Sequence, residues 1–174
     1  LANYPNKDGR IGNGVGLDTP ESAVRLLAAL QAEGYSLDGL PADGAALMAA
    51  LQAGPTNALP AYAKPPGGAQ FSSDDYQDFF SDLDSAARMR VSGRWGTMES
   101  DLFFLPEQSS FVLPVLSFGN VTVAIQPARG YNIDPAASYH DPDLPPPHGY
   151  LAFYAWLRRS FDAHAEMDHG MGIK

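Results

Sequence analysis

Two proline- and glycine-bearing stretches constrain the fold of this chain more than any other feature in it. Gly54 to Gly68 holds four prolines and three glycines, and Pro127 to Pro147 runs on with almost no periodic pattern. Proline fixes φ and donates no hydrogen bond, while glycine gives up the most freedom on ordering, so neither stretch suits a helix interior or a central strand. The fifteen prolines and seventeen glycines of the chain cluster in this way, which predicts ordered loops between short elements and excludes a compact all-helical bundle. Hydrophobic residues make up 45% of the sequence, enough for one respectable core.

The segments between the loops read as an α/β fold. Leu1 to Pro5 reads as the tail of a strand, and Asn6 to Asp18 as a glycine-rich loop. A helix follows, with Thr19 as its cap, Pro20 at its first position, an apolar stripe of Ala23, Leu26, Leu27 and Leu30, and Gly34 as its stop. Strand, loop and helix in that order open an α/β unit. A second helix is predicted over Asp43 to Ala53, and a third from Ser73 with Tyr76, Phe79, Phe80, Leu83 and Ala87 inward, fraying before Gly93. Trp95 reads as core packing. Phe111 to Phe118 and Val121 to Gln126 are apolar and β-branched around a Gly119-Asn120 turn, and Pro114 demotes the first to an edge or irregular strand. A last helix begins near His148, with Tyr150, Phe153, Tyr154 and Leu157 buried. The fold expected is an open sheet with flanking helices and long functional loops.

A formal net charge of −9 argues against nucleic acid or an anionic membrane surface as partner, because both reward basic patches. Without cysteine there are no disulfides and no thiolate metal sites, which fits a reducing cytoplasm. No apolar run reaches the roughly 18 residues that a membrane-spanning helix needs, and no leader pattern opens the sequence. The start at Leu1, without an initiator Met, reads as a cut from something longer.

Chemistry concentrates in the second loop. Pro127 to Pro147 holds Arg129, Tyr131, Asn132, Asp134, Tyr139, His140, Asp141 and Asp143, with His148 just beyond. It follows the strongest strand, at the end where open α/β sheets place their ligand crevices. His140, Asp143 and His148 offer nitrogen and oxygen ligands suited to a borderline divalent metal such as zinc, cobalt or nickel. His140, Asp141 and His148 are candidate proton acceptors. Arg129 can hold a carboxylate through its forked guanidinium, or pair internally with Asp134. The other reading is a proline-stiffened surface loop whose polar groups satisfy one another. The glycine loop Gly12-Asn13-Gly14-Val15-Gly16 fails the dinucleotide fingerprint, since position 17 is Leu, and it has no Gly-Lys-Ser/Thr. With Asn3, Lys7, Asp8 and Arg10 beside it, it reads as one wall of a site. His164, Asp168 and His169 could share a helical face at the chain end.

Longer blocks carry a more specific resemblance. Asn3-Tyr4-Pro5-Asn6-Lys7-Asp8-Gly9-Arg10-Ile11-Gly12-Asn13-Gly14-Val15-Gly16-Leu17-Asp18-Thr19-Pro20 resembles a signature of the large subunits of cobaltochelatase (CobN type) and magnesium chelatase. So do Gln126-Pro127-Ala128-Arg129-Gly130-Tyr131, Tyr139-His140-Asp141-Pro142-Asp143-Leu144 and Pro146-Pro147-His148-Gly149-Tyr150. Arg-Gly-Tyr-Asn-Ile-Asp followed by Tyr-His-Asp-Pro-Asp-Leu is similar to the cobalt branch. The resemblance implies a tetrapyrrole- and metal-binding part of a larger, multidomain cytoplasmic subunit. In that family separate AAA+ ATPase and accessory subunits drive insertion with ATP and Mg²⁺, in keeping with the lack of a nucleotide motif here.

The implied reaction is ATP-dependent insertion of Co²⁺ into hydrogenobyrinic acid a,c-diamide in cobalamin biosynthesis; the alternatives are Mg²⁺ insertion into protoporphyrin IX and a non-catalytic tetrapyrrole- or metal-binding module. His140, Asp141 and His148 are then expected to be catalytic, and His140, Asp143 and His148 to hold the metal. Arg129, Tyr131, Asn132, Asn3, Arg10 and Asn13 are expected to bind the ring. Residues 1–34 form the strand–loop–helix unit, 35–110 a helical and loop insertion, and 111–174 the strand, the His/Asp-rich loop and the last helix. The family continues past Ala165 into a His-x-Gly-x-His-Gly stretch followed by Glu-Trp, whereas this sequence has Asp168-His169-Gly170 without the carboxylate. That departure predicts an inactive isolated fragment.

Overall fold

The computed structural model describes residues 1–3, 7–58, 60, 63, 67–130 and 143–164. Its architecture is mixed: helices flank small open sheets, in line with the expected α/β class. The first hairpin, β1 (Asn13–Gly14) and β2 (Leu17–Asp18), lies inside the stretch read as a plain glycine loop, after a 3₁₀ turn at Asp8–Arg10. Helix α1 (Thr19–Ala32) follows at once. Its cap is Asp18, whose side chain accepts from the Glu21 N–H, and not Thr19. Glu33 ends it and Gly34 turns the chain at φ +97°. Helix α2 (Gly44–Ala53) is capped by Asp43 and packs on α1, its Leu47 and Leu51 fully enclosed.

The third predicted helix is two. Helix α3 (Ser73–Ser81) is capped by Ser72, and α4 (Ser85–Trp95) by Asp84, whose carboxylate accepts from Ala86 N–H at 2.8 Å. The turn between them needs neither glycine nor proline, and Gly93 sits inside α4. Strand β3 (Ala69–Ser72), hidden behind Gly67-Gly68, pairs antiparallel with β5 (Ser110–Leu113), which also pairs with β4 (Phe104–Leu105). β5 is therefore a central strand, buried along its whole length, not an edge. Pro114 follows its last paired residue, and there the chain passes out of this sheet into β6 (Val115–Phe118), which pairs with β7 (Val121–Ala124). The missing N–H of Pro114 falls between sheets, and its carbonyl accepts from Ile125 N–H. Helix α5 (His148–Arg159) buries Ala152, Phe153, Ala155 and Trp156 and ends before His164.

Two apolar clusters result. One joins α1 and α2 to β6–β7 through Leu27, Leu47, Phe118 and Ile125. The other joins α3 and α5 to β3–β5 through Phe71, Tyr76, Phe111, Leu113 and Trp156. Ring pairs such as Tyr76–Phe111 (4.8 Å between centroids) and Phe104–Phe111 (5.2 Å, edge-on) fill the second cluster.

Candidate functional site

The loop after β7 leaves from a parallel pair. The Leu1 amine donates to the Ala124 carbonyl at 2.5 Å, and Gln126 N–H donates to the Leu1 carbonyl at 2.8 Å. This alternation is that of parallel strands, so Leu1–Asn3 runs alongside the end of β7 and brings Asn3 abreast of Pro127. Ala2 accepts from Gly12 N–H, and Asn3 bridges Ile11. From the proline-rich loop, Asn57 Nδ2 donates to the Gln126 carbonyl at 2.7 Å. Three distant parts of the chain thus meet at the carboxyl end of β7, where the loop begins.

That edge carries unusual polarity. Asn3 is 6% exposed and Asn57 8% exposed. Neither polar atom of the Asn3 amide has a partner, nor has Asn57 Oδ1. Each enclosed polar group left open costs roughly 1–3 kcal/mol. Arg129 is half-buried two residues beyond Pro127, and among the described residues no carboxylate pairs with it. Arg10 is exposed at the end of the 3₁₀ turn, and Asn13 is exposed on β1 opposite Asp18.

The far end of the loop is pinned to the other core. Arg90 donates to the Asp143 carbonyl and Trp95 Nε1 to the Pro145 carbonyl, each at 2.7 Å. Trp95 is therefore a half-buried clasp and not core packing. His148 opens α5, 2% exposed, with Nδ1 2.6 Å from the Tyr76 hydroxyl and Nε2 3.2 Å from the Gly96 carbonyl. A carbonyl only accepts, so Nε2 carries the proton and, in the neutral ring, Nδ1 accepts the Tyr76 O–H. Burial first, and the Asp101 carboxylate second, hold the Tyr76 phenol well above its ordinary pKa, so it remains a donor. Asp101 itself accepts from Gly149 N–H (2.8 Å) and Phe103 N–H (2.9 Å), placing its charge at the start of α5.

Of the predicted residues, the structure brings Asn3 and Arg129 to the carboxyl edge and leaves Arg10 and Asn13 on the neighbouring surface. His148 is enclosed with both ring nitrogens engaged, so ligating a metal would require it to release Tyr76 or Gly96. Asp143 is held through its backbone at the returning end. His140, Asp141, Tyr131 and Asn132 lie outside the described residues, as do Asp168 and His169. Among the described residues no group of three metal-ligating side chains is assembled. Asn57, Tyr76 and Asp101 carry no site signal in the sequence. Asn57 belongs to no motif or spacing, and Tyr76 and Asp101 are joined to the loop only by tertiary packing.

The family model for CobN/magnesium chelatase matches residues 1–172. The aerobic cobaltochelatase subunit CobN of a Sinorhizobium species is 55% identical over 170 residues, which are 98% of this chain and 13% of that protein. The magnesium-chelatase relative from Chlorobaculum parvum is 29% identical over 168 residues, covering 97% of this chain and 13% of that protein. The solved catalytic subunit of cobaltochelatase from Mycobacterium tuberculosis superposes with a TM-score of 0.71 at 39% identity, covering 90% of this chain and 13% of that one. The chain therefore spans about an eighth of the length of these relatives.

Proposed function

The chain belongs to the CobN/magnesium chelatase family, and from that premise we propose that it is the tetrapyrrole- and metal-binding part of an ATP-dependent cobaltochelatase. The reaction places Co²⁺ in hydrogenobyrinic acid a,c-diamide, a step of cobalamin biosynthesis, in the cytoplasm. ATP is hydrolysed on AAA+ partner subunits, not on this chain. The observation that carries this reading is the 55% identity to a cobaltochelatase protein across 98% of the chain, against 29% and 32% to magnesium-chelatase relatives.

Insertion exchanges two inner N–H protons of the ring for one Co²⁺, and strips water from the metal. In this reading Arg129 holds a peripheral carboxylate of the ring, and Asn3, Tyr131, Asn132, Arg10 and Asn13 are its other ring-binding residues. His140 and Asp141 take up the protons, and His140 with Asp143 presents the metal. His148 joins them only by giving up one of its two bonds; otherwise it holds the returning end of the loop in place.

The test is Co²⁺ insertion by the complete large subunit with its ATPase partners and ATP, followed by the absorbance of the ring. Arg129→Ala should raise KM for the ring about tenfold or more, from the loss of a charge-assisted contact. His140→Ala should lower kcat by about a hundredfold, the scale of a lost general base. Unchanged insertion in both variants would remove this loop from the site. Insertion of Mg²⁺ in preference to Co²⁺ would move the protein to the other branch.

A further inference from the structure

We infer that the outward face of helix α4 is a docking surface for an acidic helical segment of a partner subunit. This rests on the heteromeric complex proposed above and adds to it the place where a partner seats. Of the residues of α4 only Val91 is buried. A short helix draws most of its stability from packing an apolar face, and one buried residue supplies little of that. By the helical repeat Ala86, Met89 and Gly93 fall on the side away from Val91, and all three are exposed. Met89 is 69% exposed, and among the described residues no other large apolar side chain on a helix is so open. Glycine inside a helix costs about 1 kcal/mol relative to alanine. At Gly93 an added Cβ would meet nothing within 4 Å, so no contact within the chain calls for the missing side chain. Close approach of a second helix would.

Charge selects the partner. Helix α4 carries Arg88, Arg90 and Arg94 and no acidic residue, in a chain of net charge −9. Arg88 donates to the Ser81 carbonyl and Arg90 to the Asp143 carbonyl, and Arg94 lies over the Trp95 ring at 4.7 Å. The ion pairs among the described residues lie elsewhere, at Arg25–Glu21 and Arg159–Asp82, so no carboxylate there neutralises these three. Arg90 and Arg94 share one flank of the Ala86–Met89–Gly93 strip. Methionine and arginine are enriched at protein interfaces, and a cationic flank steers an anionic partner. The surface therefore fits a helix with a small apolar seam edged by Asp or Glu. Arg90 and Trp95 also clasp the returning end of the loop, so a partner seated on α4 bears on the element that positions that end.

The experiment titrates the complete large subunit with its purified ATPase and accessory subunits, followed by sedimentation at low and high salt. Wild-type affinity should fall as salt rises. Met89→Glu should weaken partner binding about tenfold, by setting a carboxylate against an acidic surface. Gly93→Gln should weaken it by a similar factor while slowing amide exchange in α4, because glutamine is the better helix former; a merely structural role would not separate the two. Both variants should bind the metal-free ring as wild type does. Partner affinity unchanged in both variants would overturn the docking surface and leave the tetrapyrrole reading standing. So would a wild type that self-associates through this face, with Met89→Glu monomeric, which would give it to a second copy. Amide exchange in α4 already slow in the large subunit alone would overturn it too, giving the face to the rest of the same polypeptide. If wild type binds neither subunit, the heteromeric reading fails and the docking surface falls with it.

Discussion

Replacing Tyr76 by Phe removes one oxygen atom from the middle of the second core and leaves everything else in place. The ring is 1% exposed and packed against Phe111, Phe79 and Phe80, contacts that phenylalanine keeps, so no cavity term enters. What is lost is the 2.6 Å hydrogen bond to His148 Nδ1, and a ring nitrogen is left enclosed without a partner. A buried acceptor stranded in this way costs roughly 1–3 kcal/mol, partly offset because the phenol no longer has to be desolvated. The expected loss is about 1–2 kcal/mol, or about 2–8 °C in Tm for a chain of this size. Urea unfolding at pH 7 should show a lower midpoint with an unchanged slope.

The gap between wild type and variant should also depend on pH in one direction. The phenol's pKa is raised in the folded state, so its contribution is fully present below the unfolded value of about 10 and is lost as pH rises above it. A double-mutant cycle with His148→Ala isolates the pair, and a coupling of about 1 kcal/mol is expected. Coupling within about 0.3 kcal/mol of zero would refute the hydrogen bond as a source of stability.

Two further substitutions test how the site is supported. Asp101→Ala leaves the Gly149 and Phe103 N–H groups without their acceptor and removes a favourable charge from the start of α5, so unfolding should become easier by about 2–4 kcal/mol by denaturant titration. Gly119→Ala drives a Cβ into the Ser36 carbonyl at a residue with φ +72°, which should cost about 2 kcal/mol or more, seen as a drop in Tm by calorimetry; a neutral result would mean that the β6–β7 turn does not seat on the segment after α1.

Local chemistry makes much of the fold legible. Asp43 and Gly34 bound their helices because a side-chain oxygen or a left-handed residue is needed at those points whatever the tertiary context, and the start of α3 at Ser73 is legible although its cap is the preceding serine, Ser72. The misread boundaries have local causes too. Asp18 and Thr19 are both capping residues, and only the backbone decides between them. The apolar stripe through Tyr76, Phe79, Phe80 and Leu83 runs straight across the α3–α4 break, and Asp84 announces a new helix only to a reader who already expects a stop. Pro114 argues correctly that a ladder is interrupted, but its place between two sheets leaves β5 central.

The site is legible as a region and not as a set of contacts. Sequence proximity groups His148 with His140, yet His148 belongs to a core built by Tyr76 and Phe80, about seventy residues earlier, while Asn57 reaches the carboxyl edge from a loop with no motif at all. The physical reason lies in how the loop is strung. It leaves from β7, whose Ile125 neighbour is packed in the α1–α2 cluster, and returns to α5, whose Phe153 and Trp156 are packed in the β3–β5 cluster. The separation and orientation of its two ends are therefore set by two cores that share the β6–β7 hairpin, Val115 and Ala124 packing in one and Leu116 and Val123 in the other. A ligand held between those ends would sense repacking in either core, so substitutions at residues such as Leu47 or Phe111, which touch no site residue at the carboxyl edge, should alter ring affinity as well as stability. A site carried on one element would sense only its own core.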